Sequence, residues 1–180
     1  MLVLTGSVGV GKSTVADAVS ELLQWDHGIP HALANLDAFR RASPAPEDDP
    51  FHMALGFRNL AAVWGNYRAA GARCLVVASV MEDGSDVAGL RGAVPGAHVF
   101  LARLVAPLEV IHARLRHRET SAESLRWHLE RSAHLVRAMA DKGVGDAVVD
   151  TAGRDPAAIA RTVVDRWGVV EWYAAGRGPA

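Results

Sequence analysis

The chain has a single cysteine, Cys74. One thiol excludes a disulfide framework and a cysteine metal cluster. Its place in the apolar run Cys74-Leu75-Val76-Val77-Ala78 predicts a small core residue. No apolar stretch approaches the roughly 20 residues that a membrane-crossing helix needs. No basic leader precedes the first apolar run, so a signal peptide is not expected, and the chain is expected in the cytoplasm. Net charge is nearly absent, with 20 acidic residues against 19 basic ones. The basic residues are scattered, so neither a nucleic-acid nor a membrane partner is expected. There is no internal repeat and no low-complexity segment. The eight histidines show no metal-ligand spacing. Lysine is scarce, with Lys12 and Lys142 alone against seventeen arginines. The chain does have 180 residues, half of them apolar. That predicts one domain spanning 1–180, with room for a sizeable core.

One of the two lysines stands in the most informative stretch. The apolar run Met1-Leu2-Val3-Leu4-Thr5 leads into Gly6-Ser7-Val8-Gly9-Val10-Gly11-Lys12-Ser13-Thr14. Gly-x-x-x-x-Gly-Lys-Ser between a strand and a helix is a phosphate-binding loop. Glycine lets the backbone curl with its N–H groups pointing inward, and the next helix adds its positive N-terminal end. Lys12 supplies a full positive charge for the β- and γ-phosphates of ATP, and Ser13 a hydroxyl for Mg²⁺. A chain that otherwise uses Arg has put Lys where a compact ammonium is required.

Apolar periodicity predicts five strands alternating with helices. The strands are about 2–5, 31–36, 73–80, 97–104 and 147–150. The helices are about 12–24, 51–70, a short one to 91, 107–118, 121–141 and 156–167. The stretch 40–50, rich in Pro and acid, is loop, and 168–180 carries no readable pattern. Such alternation means an α/β three-layer sandwich, a five-stranded parallel sheet with helices on both faces. Ligands bind at the carboxyl ends of such strands. The phosphate loop, Asp37, Glu82 with Asp83, Arg103 and Thr151 are predicted at strand ends, so they are expected to converge on one crevice.

Several side chains there suit phosphoryl chemistry. Asp37 closes strand two, where a carboxylate can orient or deprotonate an acceptor hydroxyl, although Asp is also a common helix cap. Arg40 and Arg41 either hold the acceptor or lie on a solvated loop. Glu82 either touches substrate or belongs to a polar turn. At about 100° per residue, Arg114 and Arg118 fall together beside the Leu108-Ile111-Leu115 stripe, and Arg116 points elsewhere. The pair is placed to clamp a transferring phosphoryl group. His112 and His128 are expected as exposed helix positions. Trp64, Tyr67, Trp127, Trp167 and Trp172 are expected as packing residues. Strand three carries no acid at its last apolar position, which makes a motor-like ATPase a poor fit.

The chain resembles the small P-loop kinases of metabolites and antibiotics: adenylylsulfate kinase, gluconate kinase and chloramphenicol phosphotransferase. The resemblance rests on Gly6 to Thr14, on Leu36-Asp37-x-x-Arg40, on Ala106-Pro107-Leu108-Glu109-Val110-x-x-x-Arg114-Leu115-x-x-Arg118, and on Val149-Asp150-Thr151-Ala152-x-x-Asp155-Pro156. It implies strand order 2-3-1-4-5 and a lid at about 114–125. It also implies a site for Mg-ATP on Gly6, Ser7, Val8, Gly9, Val10, Gly11, Lys12, Ser13 and Thr14, with Arg114, and with Thr151 and Ala152 beside the adenine. By that resemblance the γ-phosphate goes to a hydroxyl of a small molecule held by Asp37, Arg40, Arg41 and Glu82. Lys12, Asp37, Arg114 and Arg118 would be catalytic, in a monomer or homodimer. The lid after Arg118 is short, and the segment 41–58 matches no member of the family. A nucleoside- or nucleotide-monophosphate kinase is the alternative enzyme, and a regulatory module that binds ATP the alternative non-enzyme.

Overall fold

The computed structural model describes residues 1–176. Its elements are β1 (Leu2–Thr5), α1 (Lys12–Trp25), β2 (His31–Asn35), α2 (Leu36–Phe39), α3 (Met53–Ala69), β3 (Cys74–Ala78), α4 (Gly84–Ala93), β4 (Phe100–Val105), α5 (Leu108–Arg118), α6 (Ala122–Asp141), β5 (Ala147–Asp150), α7 (Pro156–Trp167) and α8 (Val169–Ala174). All five strands are parallel, in the order β2-β3-β1-β4-β5. The sheet is therefore the one expected.

Alternation along β1 shows how the layers form. Leu2 and Leu4 face one core, with Val15, Val19 and Leu23 of α1, Ile111 and Leu115 of α5, and Val163 of α7. Val3 faces the other, with Leu60 of α3, Leu90 of α4, and Leu135 and Met139 of α6. Successive strand residues point to opposite faces, so a fully apolar strand can feed both layers. Cys74 is buried in the first of these cores, as its run predicts. β1 pairs with β3 on one side and β4 on the other. The order in which strands are added reverses there, and a crevice opens past the carboxyl end of β1. No helix among the described residues is long and apolar enough to cross a membrane.

Several boundaries differ from the pattern for local reasons. β2 stops at Asn35, and Leu36 begins a helical turn instead of ending a strand. The Asn35 side chain causes this, because it caps α2 by accepting the Asp37 N–H at 3.0 Å. Asp37 thus lies in the first turn of α2. β4 starts at Phe100 and ends at Val105, which puts Arg103 inside the strand opposite Val148 and not at a strand end. The start of α3 moves to Met53, where Asp49 accepts the N–H groups of Met53 (2.7 Å) and Ala54 (3.0 Å). Val169–Ala174 forms a last helix that the pattern does not reveal, and 177–180 lies outside the described residues.

The α3–α4 contact is tight enough to test. A Cβ on Gly89 would stand 2.2–2.7 Å from three ring atoms of Phe57. Ala in a helix gains about 0.5–1 kcal/mol over Gly, whereas overpacking costs about 1–3 kcal/mol. Gly89→Ala is therefore expected to lower the melting temperature by a few degrees, with the circular dichroism spectrum unchanged.

Candidate active site

The loop after β1 is shaped by close approach. A Cβ on Gly6, at φ 136°, would meet the Leu104 carbonyl oxygen at 2.4 Å. A Cβ on Gly9, at φ 82°, would meet the Leu115 side chain at 2.8 Å. Glycine alone lets β4 and α5 close on the loop in this way. No side chain caps α1, and the N–H groups of Lys12, Ser13 and Thr14 stand in its first turn. There the helix offers them no carbonyl partner, and its dipole is positive. Ser13 and Thr14 are exposed.

Lys12 folds back over this cradle. Its Nζ donates to the carbonyl oxygens of Gly6 and Ser7, each at 3.1 Å. Burial pulls its pKa down to about 8, against the opposing pull of Asp37, and the charges of Arg118 and Arg40 lower it further. These four groups are therefore close enough to feel one another across the crevice.

Arg114 braces the loop from the other side. Its Nη1 donates to the Val10 carbonyl (3.0 Å) and to Thr151 Oγ1 (3.2 Å), and its Nη2 to the Thr151 carbonyl (3.0 Å). Thr151 Oγ1 in turn donates to Val10 or Val105, each at 3.2 Å. The expected phosphate clamp is thus a guanidinium already engaged in joining the loop to the end of β5. Arg118, one turn on, is 54% exposed and paired with Glu119 at 2.6 Å. Arg116 is exposed and belongs to neither group, as its phasing predicts. The Ala152 N–H is held by Asp150 at 2.9 Å.

On the opposite flank lies a cavity of about 810 Å³. Val8 of the loop, Asp37, Arg40, Arg41, Glu82 and Arg131 help line it. Asp37 Oδ1 accepts from Arg40 Nη2 (2.6 Å) and from the Ser79 hydroxyl (3.3 Å). Among the described residues, its Oδ2 has no partner, and the carboxylate is 44% exposed. Glu82 pairs with Arg131 of α6, whose guanidinium also stands 5.1 Å over the Phe51 ring. Arg41 is exposed. Arg103, inside β4, does not join this wall.

Several side chains here escaped sequence reasoning. Ser79 is fully buried at the end of β3, a position without an acid, yet it supports one across the sheet. Asp86 accepts the Glu82 N–H at 2.6 Å, and burial raises its pKa. Trp127, expected in packing, is 48% exposed at the cavity. His128, expected to be exposed, is half-buried beside Glu119, and His112 is likewise half-buried, its Nε2 without a partner among the described residues. The signal that was available is the spacing of Trp127, His128, Arg131 and Leu135 along one face of α6.

A Gly-rich loop of this shape, between the first strand and first helix of a parallel sheet ordered 2-3-1-4-5, defines the P-loop nucleotide-binding fold. No family model matches the chain, and no curated protein does. Solved structures do. A gluconokinase from Sinorhizobium meliloti 1021 is 23% identical over 98% of this chain and 95% of that one, with a TM-score of 0.61. A tunicamycin resistance protein from Deinococcus radiodurans is 21% identical over 93% and 95%, with a TM-score of 0.59. An APS kinase from Mycobacterium tuberculosis, solved with AMPPNP and APS, is 20% identical over 92% and 96%, with a TM-score of 0.60. At such identities the likeness is one of fold, and the chain has the fold of the P-loop small-molecule kinases.

The buried ammonium gives the site a pH signature. The Lys12 pKa falls from 10.5 in the unfolded chain to about 8 in the folded one. Between those values the unfolded state binds more protons, so stability rises with pH. The burial penalty is therefore full below about pH 8 and fades as pH climbs toward 10.5. Lys12→Met removes the titrating group. Its stability relative to wild type is expected to be greatest near pH 7 and to decline steadily toward pH 10, read by urea denaturation at a series of pH values. A difference that stays flat across that range would contradict the assignment.

Proposed function

We propose that the protein is an ATP-dependent phosphotransferase that moves the γ-phosphate of Mg-ATP to a hydroxyl of a small molecule. One observation carries the reading. The phosphate loop contributes Val8 to the cavity that Asp37 lines, and the Asp37 charge is felt at Lys12, so the carboxylate stands close to the loop.

In this reading the first-turn N–H groups of α1 and the Lys12 ammonium bind the phosphates. Lys12 exchanges its two carbonyl partners for phosphate oxygens, which raises its pKa and keeps it charged. The residues suit Mg²⁺, because the Ser13 hydroxyl is exposed on the uncapped turn beside Lys12. The ion, when bound, would neutralise charge on the β- and γ-phosphates. Thr151 and Ala152 stand beside the adenine. Arg114 holds the loop to β5 so that the cradle keeps its shape, and Arg118 meets charge that grows on the phosphoryl group and its leaving oxygen.

Asp37 acts on the acceptor. Arg40 and Ser79 hold Oδ1 and leave Oδ2 toward the cavity. That oxygen accepts the hydroxyl hydrogen bond and takes the proton late in the reaction. The acceptor oxygen bonds to the γ-phosphorus, the bond to the β–γ bridging oxygen breaks, and ADP leaves. Arg41 and the Glu82–Arg131 pair form the wall that the acceptor contacts.

Asn at position 37 keeps Oδ1 for Arg40 and Ser79 but takes no proton. Asp37→Asn is expected to bind ATP with near wild-type affinity and melt at a near wild-type temperature. Acceptor-dependent ADP release with a small-metabolite extract is expected to fall by roughly 10²–10⁴-fold. Turnover near wild type would remove Asp37 from the reaction.

A further inference from the structure

Unlike Arg40, Arg114 and Arg131, Arg118 is not tied to backbone or to a cavity carboxylate among the described residues, and its side chain is more than half exposed. A free arginine at a helix end samples many rotamers, and ordering it at the moment of reaction would weaken it as a charge stabiliser. The next residue prevents this. Arg118 Nε and Nη2 both donate to Glu119 Oε1, at 2.8 and 2.6 Å. That contact occupies one edge of the guanidinium and leaves Nη1 and the outer N–H of Nη2 for a second anion.

Glu119 is itself fastened. Its other oxygen, Oε2, accepts from the Ser124 hydroxyl at 2.6 Å, in the first turn of α6. His128 Nδ1 stands 3.5 Å from Oε1 and, in the tautomer protonated there, donates to the Ser124 backbone oxygen at 2.8 Å. The Glu119 side chain is only 12% exposed. Its pKa lies below the usual value because of the Ser124 hydrogen bond first and Arg118 second. The chain of support thus runs from α6 to Glu119 to Arg118, and Arg118 lies near enough to Lys12 to lower its pKa.

We propose that Glu119 is a positioning residue that presents Arg118 to the transferring phosphoryl group, an inference that rests on the kinase reading above. A plain structural role competes with it. Glu119 also ends α5, where its N–H bonds Leu115 O at 2.9 Å, so its carboxylate could do no more than close the turn into α6. The two differ in whether the effect of Glu119 passes through Arg118.

A double-mutant cycle separates them, with ADP release from Mg-ATP and water as acceptor for the readout. Glu119→Ala is expected to lower kcat by roughly 10–10²-fold, the scale of a misplaced charge stabiliser, with KM for ATP changed less than threefold. Glu119→Gln keeps an acceptor oxygen for Arg118 and an amide partner for Ser124, so it is expected to restore at least half of the lost rate. Glu119→Ala in an Arg118→Ala background is expected to change kcat no further. A full Glu119→Ala loss in that background overturns the proposal, as does an Arg118→Ala enzyme at the wild-type rate. Either result leaves the kinase reading to stand on Asp37. A loss of melting temperature equal in Glu119→Ala and Glu119→Gln, with equal loss of rate, also overturns it in favour of the turn-closing role.

Discussion

A buried ammonium is the constraint on which this structure depends. Lys12 is the only lysine taken out of solvent, and its charge is met by two carbonyl oxygens and not by a carboxylate. A lone cation held this way is costly, and burial lowers its pKa accordingly. The chain tolerates that cost because β4, α5 and Arg114 close on the loop around Lys12. The Leu104 carbonyl presses on Gly6, Leu115 and Ile111 press on Gly9, and Arg114 holds Val10. In the proposed reading, an anion delivered to this cradle relieves the ammonium, so the energy stored in burying it becomes affinity for phosphate.

The flank proposed to hold the acceptor follows the opposite logic. There the charges are already paired: Arg40 with Asp37, Arg131 with Glu82, Lys142 with Asp83. The exposed Lys142–Asp83 pair adds little stability, and the two partly buried pairs fix the geometry around Asp37 and Glu82. Asp37 keeps one oxygen fixed and one free. Arg131 and Lys142 fasten α6 to the turn after β3, while the other end of α6 fastens Glu119 through Ser124. One helix therefore lines the cavity beside Asp37 and supports Arg118 through Glu119.

How much of this was legible depends on whether the information is local. The loop from Gly6 to Thr14 was readable because a strand, a glycine pattern and a helix lie in one stretch of chain. The five strands and their parallel pairing were readable because β1, β3 and β4 are apolar runs between helical periods. The end of β2 was not, since it turns on one capping bond from Asn35 that outweighs the β pattern of its neighbours. Nor were the contacts of Arg131 with Glu82, Arg114 with Val10, and Ser79 with Asp37, which join residues 49, 104 and 42 apart. Periodicity gives the face on which a side chain stands but not the partner that the folded chain brings to it. That is why the helix face of Arg114 was readable and its bonds to Val10 and Thr151 were not.

The most direct test of the central claim is the fate of the γ-phosphate. The protein would be incubated with Mg-ATP and a protein-free metabolite extract, and the mixture analysed by mass spectrometry. The account predicts ADP together with an equal amount of one new compound heavier by a single phosphate, and neither in a parallel sample of the Lys12→Met variant. ADP accompanied only by inorganic phosphate, or ATP bound and left intact throughout the extract, would contradict it.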